Sequence, residues 1–283
     1  MIDMKERIGR LNITRFLTSN KVCKIAIVKE EKRPYRLLTE KWAIEQAGIL
    51  GANTPETLEY STDMQKREVL TLKCINGKNI RYLPLHGKCE CLYSVGRQMK
   101  SLKSPIKGFG WIDLNALCGT SSDWKSFLYS YAEIYGGNIA KKKVISLEDL
   151  NIILRLLENI PVEIQTPFLV NRDIKPSNII RCSEGKTWII DWENTVLGDP
   201  LFDLSIFGGN YGRGKLWESL LKGYGFVLPP LKYFIYQAIA LFGTIDFCIK
   251  YKAPYAFRRK RLEKTITILQ YPENISESAN CFF

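Results

Sequence analysis

The sequence contains a single histidine, His86, among its 283 residues. This scarcity excludes catalysis by a Ser-His-Asp triad and metal sites built from several histidines. The eight cysteines include no C-x-x-C pair and no zinc-ligand spacing. Reduced thiols in a cytoplasmic protein are therefore expected.

Long hydrophobic runs are also few. The N-terminal residues MIDMKERIGRLNITRF hold no apolar segment of signal-peptide length, so export is not expected. The most apolar stretch, 233–249, includes Gln237 and Asp246 and falls short of the roughly 20 residues that a membrane span needs. We predict a buried helix there and no membrane span.

Acidic residues are outnumbered. The chain has 41 Lys and Arg and 29 Asp and Glu, for a net charge of +12. This excess favours anionic partners such as nucleotides, although a solvated basic surface explains it equally well. Residues 258–261 form a basic run, Arg-Arg-Lys-Arg. A recognition motif for nucleic acid is lacking, so no nucleic-acid partner is expected, and the sequence does not determine the oligomeric state.

Patterns of apolar residues divide the chain into a small β-rich part and a larger helical part. Strand-like runs at 21–28 and 68–75 flank a helix-like segment, 33–48. Helical periodicity dominates from about residue 87, in the segments 89–103, 122–135, 146–158, 213–223 and 230–251. We therefore predict an α+β fold of two lobes, 1–77 and 78–283, with a ligand cleft between them.

Polar residues interrupt the helical part in two short stretches, LVNRDIKPSNII (169–180) and WIIDWEN (188–194). Each contains a β-like run, and a turn at Glu184-Gly185 predicts a hairpin between them. Asn178 follows Asp173 by five positions, and Asp191 follows Asn178 by thirteen. The hairpin is expected to bring these three side chains together at strand ends, where functional residues are common.

These residue types suit phosphoryl transfer. That reaction needs a base to orient a hydroxyl, oxygen ligands for magnesium and a cation on the nucleotide phosphates. Magnesium prefers hard oxygen donors and keeps several waters, so one carboxylate and one amide are enough protein ligands. Singly, Asn178 or Asp191 is explained as a turn cap, but separate caps do not explain the spacing of the set.

The same stretches carry a family resemblance. NRDIKPSNII (171–180) resembles the H-R-D-x-K-P-x-N catalytic loop of protein kinases, and IIDWENTVLGDPLFDLS (189–205) resembles the metal-binding segment of the aminoglycoside phosphotransferase and choline kinase-like family. The resemblance implies a protein kinase-like fold with a small antiparallel sheet and one helix in a nucleotide-binding N-terminal lobe, and a mainly helical, acceptor-binding C-terminal lobe. It implies ATP and Mg²⁺ as cofactors.

The resemblance also implies a role for each residue of these motifs. Asp173 is the implied catalytic base, and Lys175 is expected to reach the γ-phosphate. Asn178 and Asp191 are the implied magnesium ligands. Asp203 is implied to be a structural anchor for the catalytic loop.

A lysine and a glutamate of the N-terminal part complete the implied site. Lys24 shares a strand face with small apolar residues that suit an adenine pocket. Kinase-like folds pair this lysine with a helix glutamate, and Glu40, sixteen positions later, is favoured over its competitor Glu45. The sequence TLKCING (71–77) resembles the family's hinge between lobes. Backbone groups of 73–76 are therefore expected to meet the adenine edge, so Lys73 and Ile75 are further predicted nucleotide-binding residues.

Three features depart from the family pattern. Asn171 occupies the position of a histidine, and we expect its amide to bond to backbone instead. No glycine-rich phosphate loop is present, because Gly9 is the only glycine before Lys24, so phosphate contacts are expected from backbone amides of LTSNK (17–21). Trp192-Glu193 replaces the Phe-Gly that follows the metal aspartate in protein kinases. Glu193 either adds a second metal oxygen or contacts substrate, or it is a surface carboxylate.

Three functions are consistent with these features. The favoured one is ATP-dependent transfer of the γ-phosphate to a hydroxyl of a small molecule, such as a sugar, aminocyclitol or amino alcohol. A protein serine/threonine kinase is disfavoured, because only eleven residues separate Asp191 from Asp203. A catalytically silent binding protein that uses the basic run is the third. The basic C-terminal lobe favours a neutral or anionic acceptor over a polycation.

Overall fold

A computed structural model describes residues 6–28, 35–161, 164–225, 227–271 and 275. Its strands, in chain order, are β1 (Glu6–Ile8), β2 (Asn12–Thr18), β3 (Lys21–Ala26), β4 (Thr57–Thr62), β5 (Glu68–Lys73), β6 (Gly77–Asn79), β7 (Phe109–Asp113), β8 (Cys118–Ser121), β9 (Phe168–Val170), β10 (Ile179–Cys182), β11 (Thr187–Ile189) and β12 (Val196–Gly198). Its helices are α1 (Arg36–Ile49), α2 (Leu85–Met99), α3 (Trp124–Lys141), α4 (Leu147–Asn159), α5 (Leu201–Tyr211), α6 (Lys215–Tyr224), α7 (Pro230–Lys250) and α8 (Ala256–Gln270).

The N-terminal part is an antiparallel sheet with the order β1-β2-β3-β5-β4, covered by α1. Helix α1 packs Leu37 and Ile44 against the sheet, and both are almost fully buried. Its first turn has no side-chain cap of its own. Instead, the Glu68 carboxylate accepts hydrogen bonds from the backbone N–H groups of Arg36 (3.0 Å) and Leu38 (3.0 Å), which satisfies donors that a helix start leaves open. Pro34, predicted to open this helix, lies outside the described residues.

Two small sheets lie in the remainder of the chain, with the orders β11-β10-β6 and β8-β7-β12-β9. The predicted hairpin is β10–β11, with Ile180 opposite Trp188. Strand β6 also pairs with β10, so residue 77 already belongs to a C-terminal sheet. The division into 1–77 and 78–283 stays a proposal, and this pairing favours a boundary just before Gly77.

The C-terminal part is helical around one apolar core, in agreement with the predicted α+β class. Helices α5 and α8 were not among the predicted segments. Helix α5 is buried on nearly all sides, so it lacks the polar face that helical periodicity detects. Helix α8 does bury Leu262, Ile266 and Leu269, which have helical spacing, but its many charged residues obscure this apolar stripe.

The basic run 258–261 lies on α8 and is partly used inside the fold. Arg258 Nε donates to Asn210 Oδ1 (2.8 Å), and Arg261 Nη1 donates to the carbonyl oxygen of Gly208 (2.8 Å). Both acceptors are in the last turns of α5, where cations are favourable because of the helix dipole. Half of the run therefore stabilises the end of α5, which weakens its interpretation as a binding patch.

Helix α7 has 21 residues and is long and apolar enough to cross a membrane by length and composition alone. The helix extends beyond the apolar stretch 233–249 at both ends, from Pro230 to Lys250, so its length alone does not exclude a span. The prediction of a buried helix agrees with the structure, since 72% of the most apolar window is buried against the rest of the protein.

Helices α2 and α6 cross at two glycines, Gly96 and Gly223. A Cβ atom on Gly96 would lie 2.4 Å from the carbonyl oxygen of Leu220, which is backbone and cannot move aside cheaply.

We expect Gly96→Ala to destabilise the protein by about 3 kcal/mol in urea unfolding. The matched control is Gly137→Ala in α3, where an added Cβ meets nothing within 4 Å. This control should stabilise by about 0.5–1 kcal/mol, and equal effects of the two changes would contradict the packing argument.

Candidate active site

The loop between β9 and β10 is held by the side chain of Asn171, which is fully buried. Its Oδ1 accepts a hydrogen bond from the backbone N–H of Asp173 (3.0 Å), and its Nδ2 donates to the carbonyl oxygen of Asp191 (3.2 Å). The expected backbone bonding by Asn171 is thus present. It ties the loop that carries Asp173 directly to the segment that carries Asp191.

Asp203, in the first turn of α5, supports the same loop from below. Its carboxylate accepts hydrogen bonds from the backbone N–H groups of Asn171 (3.1 Å) and Arg172 (2.7 Å). Burial raises the pKa of Asp203 to about 7, although these two hydrogen bonds act in the opposite direction. The contacts are those expected of an anchor, and they hold Arg172 in a left-handed conformation with φ of 65°.

Asp173, Lys175 and Asn178 form one hydrogen-bonded group. Lys175 Nζ lies 2.6 Å from Asp173 Oδ2, and Asn178 Nδ2 donates to the same oxygen at 2.9 Å. Burial raises the pKa of Asp173 to about 6, with the charge of Lys175 opposing and that of Asp191 adding to the shift. A carboxyl group with this pKa is suited to accept a proton near neutral pH.

Asp191 faces this group from the end of β11, in a left-handed conformation with φ of 68°. Its Oδ2 accepts from Asn178 Nδ2 at 3.3 Å, and its Oδ1 lies 2.9 Å from Lys24 Nζ. Burial opposes ionisation, but Lys24 and Lys175 outweigh it and lower the pKa of Asp191. The three side chains predicted from the motif spacing therefore converge, and of the two carboxyl groups Asp191 is the one whose pKa is lowered.

Lys24 joins the N-terminal sheet to this group. Its Nζ lies 2.9 and 2.7 Å from the two carboxylate oxygens of Glu40. The competitor Glu45 accepts from Lys41 and Thr57 instead. Burial disfavours the charge of Lys24, but Asp191, Glu40 and Glu193 outweigh it and raise the pKa of Lys24. The predicted pair of Lys24 and Glu40 is thus present, whereas its role in nucleotide binding stays a prediction.

Three carboxylates surround Lys24. One oxygen from each of Glu40, Asp191 and Glu193 lies within 4.8 Å of the others, a geometry tight enough for a metal ion. The ammonium of Lys24 already lies 2.7, 2.9 and 3.8 Å from these three groups. Burial raises the pKa of Glu40 to about 7; Lys24 opposes this shift, and the charges of Asp191 and Glu193 add to it. We interpret the cluster as a buried ion-pair network.

Glu193 is only 7% exposed, so its alternative interpretation as a surface carboxylate is wrong. Its Oε2 accepts a hydrogen bond from Asn12 Nδ2 at 2.5 Å and lies 3.6 Å from Arg36 Nε. Asn12 and Arg36 were not predicted to contribute to the site. They are 181 and 157 positions from Glu193 in sequence, and no local pattern indicates contacts over such separations.

The expected phosphate contacts from LTSNK (17–21) are not supported. This segment includes the turn between β2 and β3, and the carbonyl oxygen of Asn20 accepts from the backbone N–H of Cys74 (2.8 Å) near the predicted hinge. The turn between β1 and β2, residues 9–11, lines the cavity instead. Which end of a hairpin faces a site depends on the strand order of the sheet, which the turn sequence alone does not contain.

The predicted hinge residues lie at the end of β5, away from the carboxylates. Lys73 Nζ pairs with Glu56 at 2.9 Å on the surface. The backbone N–H of Lys73 donates to the carbonyl oxygen of Glu56 at 2.9 Å. Ile75 is partly exposed in the link between β5 and β6. The structure does not bring Lys73 or Ile75 into the cavity that holds Asp173 and Asp191, and their contact with a nucleotide base stays a prediction.

The converging side chains open into a cavity of about 480 Å³. One wall is formed by residues 9–12, Thr14 and Lys24 of the N-terminal sheet. The floor contains Asp173, Lys175 and Asp191. The opposite wall comes from strand β7, helices α3 and α7 and neighbouring loops, and it is rich in aromatic side chains: Trp111, Tyr131, Tyr135, Phe247 and Tyr251. The cavity is thus large enough for a small polar molecule beside Asp173.

Comparisons with known proteins agree with this architecture. Residues 139–234 match the model of the phosphotransferase enzyme family. A thermostable mutant of aminoglycoside phosphotransferase APH(4)-Ia, in ternary complex with ADP and hygromycin B, has a TM-score of 0.71 at 16% identity over 94% of both chains. The chain has the aminoglycoside phosphotransferase fold. The predicted resemblance to this family, and the predicted kinase-like fold, are confirmed.

Two further structures share the phosphotransferase fold. A choline/ethanolamine kinase family protein from Mesorhizobium loti has a TM-score of 0.64 at 17% identity, covering 95% of this chain and 89% of that chain. The GDP and kanamycin complex of APH(2")-IIia has a TM-score of 0.66 at 11% identity, covering 96% and 93%. No curated protein matches the chain by sequence. At these identities the likeness concerns the fold.

Replacing Lys24 tests the ion-pair network. We expect Lys24→Met to destabilise the protein by about 3–5 kcal/mol at pH 8, because three carboxylates, two of them buried, lose their shared cation. The loss should be much smaller near pH 5. Without Lys24, the folded-state pKa of Glu40 rises further above its unfolded value, so stability is retained at acidic pH and lost as the pH rises through the folded value. Urea unfolding at both pH values measures this.

The matched control for this change is Lys41→Met on the same helix. Lys41 pairs with Glu45 at 2.7 Å, but both side chains are about one-third exposed. Its removal should cost less than about 0.5 kcal/mol at either pH. A loss for Lys24→Met that does not vary with pH would contradict the proposed charge balance.

Proposed function

We propose that this protein is an ATP-dependent phosphotransferase that moves the γ-phosphate to a hydroxyl group of a small molecule. The observation that carries the proposal is the convergence of Asp173, Asn178 and Asp191 at the floor of one cavity, opposite Lys24. These groups supply a base, two oxygen ligands and a cation, which are the parts that phosphoryl transfer requires.

The donor set fits Mg²⁺. Asp191 is ionised and Asn178 lies beside it, so a hard carboxylate oxygen and an amide oxygen are available together. Asn178 Nδ2 donates to Asp173 and Asp191 here, and the other orientation of the amide turns its oxygen toward them. Asn178 and Asp191 would hold the ion, which neutralises charge on the transferred phosphoryl group when bound.

The remaining roles follow from the positions of the charged groups. Asp173 accepts a proton from the acceptor hydroxyl and orients it. Lys175, bonded to Asp173, is close enough to offer its ammonium to the γ-phosphate. Lys24, held by Glu40, supplies positive charge on the side of the N-terminal sheet. Since the backbone N–H of Cys74 already donates to Asn20, the base edge is assigned to Ile75 and the residues around it.

ATP is the proposed nucleotide because the APH(4)-Ia structure contains ADP. The APH(2")-IIia structure contains GDP, so GTP is the alternative to test in the same assay. Both structures also contain an aminoglycoside, hygromycin B in one and kanamycin in the other. Such acceptors are polycations, and their fit to this chain depends on the charges along the acceptor wall.

The acceptor wall favours a neutral or anionic molecule. Apart from Asp173, Asp191 and Glu193, the described lining residues include one carboxylate, Asp246, and burial raises its pKa. Arg172 and Lys250 contribute positive charge to the same cavity. A polycation needs several carboxylates to replace its water, whereas aromatic faces suit the ring of a sugar or cyclitol.

A protein kinase activity is disfavoured by the segment after Asp191. Residues 192–200 lead directly into α5, and all of them except Asn194 are buried. This leaves no exposed segment there against which a peptide can dock. A silent binding protein is disfavoured by the complete set of Asp173, Asn178 and Asp191, since binding through the basic run requires none of them.

The pH dependence tests the role of Asp173. We expect kcat/KM to rise with pH and to level off above an apparent pKa of about 6, because the base must be ionised. Lys175→Met should move this inflection to higher pH, since it removes the cation that favours the ionised carboxyl. Asp173→Asn should lower kcat by about 10³-fold. A flat profile from pH 5 to 8 would remove Asp173 from the proposed role.

The charge of the acceptor is tested with matched sets of sugars: a neutral sugar, its phosphorylated or carboxylated form and its amino form. We expect turnover of the neutral or anionic member to exceed that of the amino form.

Lys250→Gln should raise KM for the anionic member about threefold to tenfold and leave KM for the neutral member unchanged. Lys252→Gln, on an exposed residue outside the cavity lining, is the control. A preference for amino sugars would contradict the assignment, and phosphate on protein serines alone would favour a protein kinase.

A further inference from the structure

The N-terminal wall of the cavity has no glycine-rich loop. Instead, the turn between β1 and β2 lies beside a network of polar side chains formed by Asn12, Arg36 and Glu193. The turn of residues 9–11 joins β1 to β2 and is closed by a hydrogen bond from the backbone N–H of Gly9 to the carbonyl oxygen of Asn12 (2.8 Å). Gly9, Arg10 and Leu11 all line the cavity beside Lys24. The position of this turn therefore determines how much of the cavity is covered.

Asn12 is the residue that fixes the turn. Its Nδ2 donates to Glu193 Oε2 at 2.5 Å, and its Oδ1 accepts from Arg36 Nη2 at 2.7 Å. The same Nη2 donates to the carbonyl oxygen of Leu11 at 3.0 Å. The side-chain amide of Asn12 thus makes hydrogen bonds with both its nitrogen and its oxygen. The nitrogen bonds to the C-terminal half of the chain, and the oxygen bonds to α1.

Arg36 and Glu193 complete the network as a buried charge pair. Arg36 Nε lies 3.6 Å from Glu193 Oε2, and the two residues are 2% and 7% exposed. Within the described part of the chain, Nε and Nη1 of Arg36 are buried without a hydrogen-bond partner. Burying guanidinium nitrogens without a partner is costly, and an apolar side chain would pack there at lower cost. Arg36 is therefore better explained by its contacts to Leu11, Asn12 and Glu193 than by packing.

The network is coupled to the catalytic charges through Glu193. Its Oε2, which accepts from Asn12, also lies 3.8 Å from Lys24 Nζ. Glu193 follows Asp191 by two positions, in the same segment. The turn is therefore positioned relative to Lys24 and Asp191 by a direct side-chain contact, in addition to the hydrogen bonds of the sheet.

We propose that Asn12, Arg36 and Glu193 form an interlobe clamp that holds the turn 9–11 over the phosphates of the nucleotide, in place of a flexible glycine-rich loop. The inference rests on the proposed function, because it assigns the nucleotide phosphates to the space between this turn and Asp191. All three are positioning residues: they act by fixing backbone that contacts the nucleotide. Preorganising the turn removes an ordering cost that nucleotide binding would otherwise have to meet.

The clamp is tested by Asn12→Ala in the full-length protein. We expect KM for ATP to rise about tenfold, while kcat and KM for the acceptor change less than about threefold, because contacts to bound nucleotide are lost equally in the ground and transition states. A double change, Asn12→Asp with Glu193→Gln, exchanges the amide and the carboxylate across the contact. It should restore most of the ATP affinity that either single change removes.

The matched control is Arg15→Met. Arg15 lies on β2, a strand that it shares with Asn12, and pairs with Glu6 on β1 at 2.7 Å, but both side chains are more than one-third exposed. This change removes an ion pair from the β1–β2 hairpin without touching the clamp. It should leave KM for ATP within about twofold of the parent value.

Hydrogen exchange of backbone amides 9–12 provides a readout that does not need turnover. Asn12→Ala should raise the exchange rate of these amides at least tenfold, whereas Arg15→Met should not. An unchanged rate and an unchanged KM for ATP in Asn12→Ala, or a fall in melting temperature as the sole effect, would overturn the clamp. Failure of the parent protein to turn over ATP with any acceptor would count against the proposed function, and the exchange measurement would still decide whether the clamp exists.

Discussion

The cleft depends on the balance between one ammonium group and three carboxylates. Lys24 comes from the N-terminal sheet, Glu40 from α1, and Asp191 and Glu193 from the segment that leads into the helical half. Buried carboxylates repel one another unless a cation lies between them. Lys24 therefore stabilises the approach of the N-terminal sheet to the segment that carries Asp191 and Glu193.

The loop that carries Asp173 depends on a second constraint: its backbone N–H and C=O groups need hydrogen-bond partners. Asn171 bonds to backbone on both sides, and Asp203 accepts two successive backbone N–H groups. Two residues of the site, Arg172 and Asp191, have left-handed backbone conformations, which non-glycine residues adopt at a cost of about 1–2 kcal/mol each. An asparagine serves in the position of the family's histidine because the bonds it makes are to backbone and need an amide, which it has.

Much of this site was predictable because its parts are local in sequence. The spacing of Asp173, Asn178 and Asp191 predicts their convergence once a hairpin lies between them. The pairing of Lys24 with Glu40 was predicted from the family resemblance. Contacts that join distant segments were not predictable in this way. Asn12 and Arg36 carry no local signal for their contact with Glu193. That the turn 9–11 lines the cavity was not predicted either, because strand order is a property of the whole sheet. Helix α8 was missed although Leu262, Ile266 and Leu269 have helical spacing, since charged residues dominate the segment.

The short buried link between Asp191 and α5 has a consequence for control of the protein. Residues 195–200 are enclosed by the helical core, so this stretch offers no hydroxyl to a modifying enzyme and no slack for an order-to-disorder transition. Anchoring of the residues that follow it restricts the movement of the segment that carries Asp191.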